Sequence, residues 1–120
     1  MFKRNISKAA KRERKGLVSY ILLQEGDVPD TKLAVTRVEV APGSHQTPHH
    51  HAPEQVYLIL KGKGIMRVGE EEDEVAEGDL IYIPSNVVHG IANLSQQVLA
   101  YLSASTPSFD IKSYYDTGKV

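Results

Sequence analysis

Four of the five histidines in this 120-residue chain fall within seven residues of one another: His45, His49, His50 and His51. Side chains on an extended strand alternate between two faces, so His49 and His51 share one face. Even spacing from His51 puts Gln55 on the same side and Glu54 on the opposite side. Because imidazole is a common ligand of transition metals, this spacing predicts a metal site with Gln55 beside it.

The fifth histidine, His89, follows the turn sequence PSN between two apolar segments. An antiparallel barrel can bring it opposite His49 and His51. Three neutral imidazoles would hold one divalent ion (Mn, Fe, Ni, Cu or Zn) and leave one or two coordination positions open. The amide oxygen of Gln55 can serve as a fourth, neutral ligand. Three alternatives stay open: three histidines alone, a bulge at residues 52–53 that turns Glu54 inward, or no metal.

The elements that must position these residues are short strands. Apolar or β-branched segments recur between turns rich in Gly, Pro, Asn and Ser, and they span residues 33–40, 56–60, 65–68, 74–76, 80–83, 87–92 and 98–103. This spacing is typical of an all-β sandwich or barrel. The acidic stretch at 69–74 is interpreted as a hairpin loop. We expect a basic arm at 1–16 and one domain at 17–120, with its core at about 33–103.

Two stretches resemble the two sequence motifs of the cupins. Residues 43–62 match the first motif through Gly43, the pair His49 and His51, and Gly62, with Gln55 in the acidic place. Residues 78–93 match the second, as listed here: Gly78, Pro84, Asn86 in the place of a glycine, His89 and Asn93. Asparagine tolerates the left-handed conformation that the glycine would adopt.

The resemblance covers residues 33–102 and implies the cupin fold, a double-stranded β-helix or jelly-roll barrel, in a small single-domain member. It also implies metal-dependent dioxygenases, decarboxylases and isomerases, or ligand-sensing domains. We expect a metalloenzyme acting on a small anionic or polar organic molecule, dioxygenase-like or decarboxylase/isomerase-like. A non-catalytic ligand-binding or sensing module is the alternative. Acid–base work would fall to Tyr57, Tyr82, Glu54 or a metal-bound water.

Charge and composition set the expected partners. Residues 1–16 carry a net charge of +6, the remainder carries −7, and the chain has no cysteine. We interpret the basic arm as solvated, partly disordered or a short helix, and we do not expect nucleic-acid binding, since no aromatic residues interleave the charges. No apolar run is long enough for a membrane helix, so a cytoplasmic protein is expected. Residues 18–23 and the tail at 108–116 are predicted to form the interface of a homodimer.

Overall fold

The computed structural model describes residues 1–107 and 115–118, and it contains nine strands after a short 3-10 helix at Ile6–Lys8. Their alternating burial, seen for example in β3 and β9, is the pattern of strands that pack one face on a core. The strands are β1 Ala10–Arg14, β2 Leu17–Leu23, β3 Ala34–Val40, β4 Glu54–Lys61, β5 Lys63–Val68, β6 Glu71–Ala76, β7 Leu80–Ile83, β8 His89–Ala92 and β9 Leu99–Thr106.

The strands form two antiparallel sheets. The larger sheet has the order β1-β2-β3-β9-β4-β7, and the smaller has the order β6-β5-β8. Isolated bridges from His45 to Ala92 and from His49 to His89 add the segment before β4 to the free side of β8. The non-sequential strand order and the two facing sheets fit a jelly-roll barrel, so the all-β prediction is confirmed.

The core lies between the inner faces of the two sheets. Tyr57 on β4 and Tyr101 on β9 are each 1% exposed, and their rings stack with centroids 4.1 Å apart. Large aliphatic side chains surround this pair, including Leu17, Ile59 and Leu99. The stacked pair fills part of the barrel interior next to His89, whose ring centroid is 6.2 Å from that of Tyr57.

The acidic stretch differs from its predicted loop. Gly69 and Glu70 form a tight turn, and β6 begins at Glu71 and pairs along its whole length with β5. Four consecutive acidic side chains at 71–74 are exposed on this strand. The backbone of these residues is hydrogen-bonded to β5, while their carboxylates remain in water. A strand therefore pairs the backbone without burying the charges.

The basic segment also differs from its predicted state. Residues Ala10–Arg14 pair in register with β2 as a hairpin. The two turn residues, Lys15 and Gly16, have φ values of 47° and 85°, as a two-residue type I′ hairpin turn requires. The division into an arm at 1–16 and a domain at 17–120 remains a prediction.

The β1–β2 hairpin leaves residues 18–23 without the free strand edge that the predicted dimer interface would use. Strand β2 is hydrogen-bonded to β1 on one side and to β3 on the other, so it has no free edge. The tail segment 108–114 lies outside the described residues. A homodimer therefore remains a prediction. Within the described part of the chain, no helix has the length and apolar character needed to cross a membrane.

Gly62 makes the β4–β5 turn, and we expect Gly62→Ala to destabilise the barrel. Its φ is +79°, and an added Cβ would lie 2.6 Å from the carbonyl oxygen of Val98. The left-handed conformation costs about 1–2 kcal/mol for alanine, and the overlap with backbone adds to this cost. Urea unfolding should show the loss.

Gly78→Ala is the matched control, because Gly78 has a φ of +92° but open space around it. It should lower the free energy of unfolding by only the conformational cost. Equal losses in the two variants would show that the close approach to Val98 contributes nothing.

Candidate metal centre

A pair of backbone hydrogen bonds brings two distant segments together. The N–H of His49 donates to the carbonyl of His89 at 3.0 Å, and the N–H of His89 donates to the carbonyl of His49 at 2.9 Å. Residues that exchange both bonds lie directly opposite each other and point their side chains to the same face. The ring centroids of this pair are 4.5 Å apart.

A turn fixes the position of His51. The N–H of Asn86 donates to the carbonyl of His51 at 2.8 Å, and the Ser85 hydroxyl donates to the next carbonyl, that of Ala52. Asn86 has a φ of 62°, so the left-handed conformation expected there is confirmed. The ring of His51 lies 4.9 Å from that of His89, measured between centroids.

The three histidines form one cluster. One ring nitrogen from each of His49, His51 and His89 lies within 4.8 Å of the other two. The rings of His51 and His89 are buried and that of His49 is half-buried. Three imidazoles this close together could hold one metal ion, since each ring offers one ligand atom.

The contacts of the three Nδ1 atoms show which nitrogen of each ring carries the proton. Each Nδ1 lies at hydrogen-bond distance from a backbone carbonyl: Thr47 at 2.8 Å, Pro53 at 2.9 Å and Val87 at 2.9 Å. A carbonyl only accepts, so each Nδ1 carries the proton, and in a neutral imidazole the Nε2 lone pair is left for a ligand. Such carbonyl bonds commonly orient histidines that bind metals.

Burial keeps these rings neutral. It lowers the pKa of His49 and of His51, and it lowers the pKa of His89 to about 4. The carbonyl bonds oppose this effect, since they favour the protonated ring, but burial is the larger cause for all three. The cluster is therefore uncharged near neutral pH, as metal binding requires.

Gln55, the second residue of β4, lies beside the cluster. Its side-chain NH2 donates to the Ser103 hydroxyl, and its Oε1 lies 3.0 Å from Nε2 of His51. With the His51 proton on Nδ1, both atoms of this contact are acceptors. Two ligands at right angles on one ion, with bonds of about 2.1 Å, would lie about 3.0 Å apart, so the contact fits a shared cation.

His89 supplies a second sign of fit. Its Nε2 is buried and has no hydrogen-bond partner among the described residues. An unpaired buried polar atom costs free energy, and an ion at this point would offset that cost. The donor set of three imidazoles and one amide brings no charge of its own.

Glu54 and Tyr82, two of the predicted acid–base residues, do not reach the cluster. Both are exposed on the outer face, where the Tyr82 hydroxyl donates to the Glu54 carboxylate at 2.9 Å. This bond raises the pKa of Tyr82. Because Gln55 is buried and Glu54 is exposed, the alternation predicted from the sequence holds, and the inward turn of Glu54 does not occur.

Tyr57, the third predicted acid–base residue, lies inside the barrel. Its ring centroid is 6.2 Å from that of His89, and its hydroxyl donates to Oε1 of Gln46 at 3.0 Å. Burial raises its pKa to about 12. Near neutral pH it keeps its proton and acts as a hydrogen-bond donor.

Sequence reasoning missed several polar residues near the cluster. Gln46 is 6% exposed and also donates to the Tyr101 hydroxyl at 3.1 Å. Ser103 and Ser105 face inward on β9 at the same alternation as Tyr101. That alternation in the sequence YLSAS is the available signal, but the strand predicted there ends at residue 103 and carries no functional assignment.

The profile of the family described as Cupin domain matches residues 36–105. The chain belongs to the cupin family. An uncharacterized protein from Methanocaldococcus jannaschii is 35% identical over 97 residues, which cover 80% of this chain and 75% of the relative.

Two further likenesses concern proteins with named activities. Dimethylsulfoniopropionate lyase DddW of Ruegeria pomeroyi is 36% identical over 77 residues, covering 63% of this chain and 50% of the lyase. The crystal structure of a predicted oxalate decarboxylase from Thermotoga maritima superposes with a TM-score of 0.79 at 20% identity, covering 88% of this chain and 99% of that chain. The second likeness shows the cupin fold and no more.

In the metal-free protein we expect all three clustered rings to carry their proton on Nδ1. Nitrogen-15 NMR of the imidazoles distinguishes this form from the one protonated on Nε2. The exposed His50 is the control, since it lies outside the cluster. His89 should also stay neutral as the pH falls through 6 and 5, because burial lowers its pKa to about 4. An Nε2-protonated ring at any of the three positions would contradict the assigned orientation.

Proposed function

We propose that His49, His51 and His89 bind one divalent transition-metal ion through their Nε2 atoms, with Oε1 of Gln55 as fourth ligand. The observation that supports this most is the set of three Nδ1–carbonyl bonds, which places the proton of each ring on Nδ1 in a cluster whose ring nitrogens lie within 4.8 Å of one another. Imidazole and amide ligands without thiolate suit Mn, Fe, Ni, Cu or Zn.

The neutral ligand set determines the electrostatics of such a centre. With Gln55 in place of a carboxylate, the four ligands would leave both positive charges of the ion uncompensated. The bound ion would act as a Lewis acid that polarises an oxygen of the ligand. An anionic or strongly polar oxygen would therefore be favoured at an open position.

We further propose that the chain is a metalloenzyme acting on a small anionic or polar organic molecule, dioxygenase-like or decarboxylase/isomerase-like. The likeness to a lyase supports enzymatic use of this fold. Of the predicted acid–base residues, only Tyr57 lies inside, and it holds its proton. Its role would be to donate a hydrogen bond within the barrel, while Gln46 accepts from it and fixes its hydroxyl.

A non-catalytic binding or sensing module is the second candidate, and one observation favours it. Among the described residues, no carboxylate lines the cavity beside the histidines. Proton transfer by a side chain would thus depend on groups other than Asp or Glu. A site that only captures a ligand needs no such group.

Elemental analysis tests the metal centre. Protein purified without a His tag should contain close to one equivalent of Mn, Fe, Ni, Cu or Zn. His49→Ala and His89→Ala should abolish this content, since each removes a ligand, and Gln55→Leu should weaken affinity by at least about tenfold.

His50→Ala is the matched control, because His50 is exposed and outside the cluster. It should keep full metal content. Full content in His49→Ala and His89→Ala would overturn the proposed centre, and unchanged affinity in Gln55→Leu would remove Gln55 from the ligand set.

Turnover separates the enzyme from the binding module. We expect metal-loaded protein to consume oxygen with a member of a panel of catechols and β-diketones, or to convert a small carboxylic acid. The same activity should survive in the double variant Glu54→Gln, Tyr82→Phe, because both side chains lie on the outer face. Saturable binding without turnover across the panel would favour the sensing module.

A further inference from the structure

Six apolar side chains form a continuous patch on the outer face of the larger sheet, at the end where β9, β4 and β7 are neighbours. We name them the outer patch, and the ladder arranges them in two rows. Residues directly opposite each other on antiparallel strands point to the same face, so one row holds Leu80, Leu58 and Leu102, and the other holds Tyr82, Val56 and Ala104.

The outer patch is open to solvent for apolar side chains of this size. Leu58, Leu80 and Tyr82 are 36%, 62% and 53% exposed, and the other three members are half-buried. The adjoining part of the same face, on β3, carries the ion pair of Arg37 and Glu39 instead. A contiguous exposed apolar patch commonly marks an interaction site, so the outer patch is suited to packing against another surface.

Strand β4 carries opposite charges at the two ends of the outer patch. Glu54 lies at one end and faces outward, as Val56 and Leu58 do. At the other end the ladder shifts by one residue between Ile59 and Lys61, and such a bulge returns Lys61 to the outer face. The outward residues of β4 therefore follow the order acid, apolar, apolar, base. Neither charged side chain forms an ion pair with a residue that the structure describes.

This order is self-complementary for two copies of the chain packed face to face. With the two β4 strands antiparallel, Glu54 of one copy lies over Lys61 of the other, and Val56 lies over Leu58. Both contacts occur twice, as a two-fold interface requires. With the β4 strands parallel, Glu54 would instead lie over Glu54 and Lys61 over Lys61. Like charges across an interface are unfavourable, so the charges select the antiparallel arrangement.

The sizes of the apolar side chains fit the same arrangement. When β4 lies antiparallel over β4, the neighbouring strands also lie over their own counterparts, so the leucine row of one copy faces the other row of its partner. Leu102 then lies over Ala104, and Leu58 lies over Val56. Each leucine on these two strands meets a smaller side chain, which allows the two faces to interdigitate as packed sheets do.

We infer that the outer patch binds a second copy of this chain through a two-fold interface in which the β4 strands are antiparallel. The homodimer expected from the sequence would then form through a sheet face rather than through the strand at residues 18–23. The interface uses no metal ligand, so this inference goes beyond the proposed function and does not depend on it.

Sedimentation equilibrium tests whether the outer patch is an interface. The wild-type protein should show a monomer–dimer equilibrium. Leu58→Asp and Leu80→Asp should each raise the dissociation constant of the dimer at least about tenfold, since each places an unpaired charge in an apolar contact. Leu94→Asp is the matched control, because Leu94 is 77% exposed and follows β8 of the smaller sheet. It should leave the constant unchanged.

Exchange of the two charges tests the antiparallel arrangement itself. Glu54→Lys and Lys61→Glu should each raise the dissociation constant severalfold, because each places like charges across the interface. The double variant should regain the wild-type constant, and a mixture of the two single variants should associate more tightly than either variant alone. Tyr82→Phe controls for the hydrogen bond that Glu54→Lys also removes, and it should leave the constant unchanged.

Three results would overturn the inference. Wild-type protein that stays monomeric at high concentration would leave the outer patch for a different partner. A dimer that survives both Leu58→Asp and Leu80→Asp would use another surface. Failure of the double variant and of the mixture to regain association would rule out the antiparallel interface. Because metal content enters none of these measurements, loss of the proposed metal centre would leave the inference standing, and the reverse also holds.

Discussion

The site depends on one pair of backbone hydrogen bonds, those exchanged between His49 and His89. The bonds join a segment that precedes β4 to the first residue of β8, forty positions later in the chain. Side-chain chemistry alone could not hold two imidazoles at this distance before an ion binds. The ladder does so with main-chain groups, which every residue type except proline supplies in full.

Gly90 shows how closely the two segments pack around this pair. A Cβ at Gly90 would lie 3.1 Å from the carbonyl oxygen of Gln46 and 3.3 Å from Cα of Pro48. The missing side chain lets the segment before β4 lie against β8. The same segment carries Gln46, whose amide accepts from the Tyr57 hydroxyl and donates to the Tyr101 hydroxyl. The histidine cluster and the aromatic core are thus tied together through one short stretch of chain.

Much of this arrangement follows from the sequence. Side-chain alternation predicts Gln55 inside the barrel and Glu54 outside. The prediction holds because successive side chains of an extended chain point to opposite faces even where the chain is loosely paired. The strand predicted at 80–83 coincides with β7, since turn residues bound it on both sides. The left-handed Asn86 could be predicted from the conformation its position requires.

Other features could not be predicted in the same way. The basic hairpin was missed because Lys-Gly is a weaker turn signal than Asn-Gly, and charge dominated the interpretation of residues 1–16. The first half of the acidic strand β6 was missed because its carboxylates hide any alternation, whereas its second half coincides with the segment predicted at 74–76. Tyr82 does not reach the histidine cluster because it pairs with Val56, which occupies an outward-facing position of β4. Tyr115 reaches the barrel through tertiary packing, which no local pattern encodes.

The three carbonyl bonds to Nδ1 have an entropic consequence. Each bond restricts rotation of an imidazole about its χ2 angle, so the rings have already lost that freedom when the protein folds. Capture of an ion would then require little rearrangement, and the protein with and without it should have nearly the same shape. Discrimination between ions would come from how well their preferred coordination angles suit a rigid donor set, rather than from adjustment of the donors to the ion.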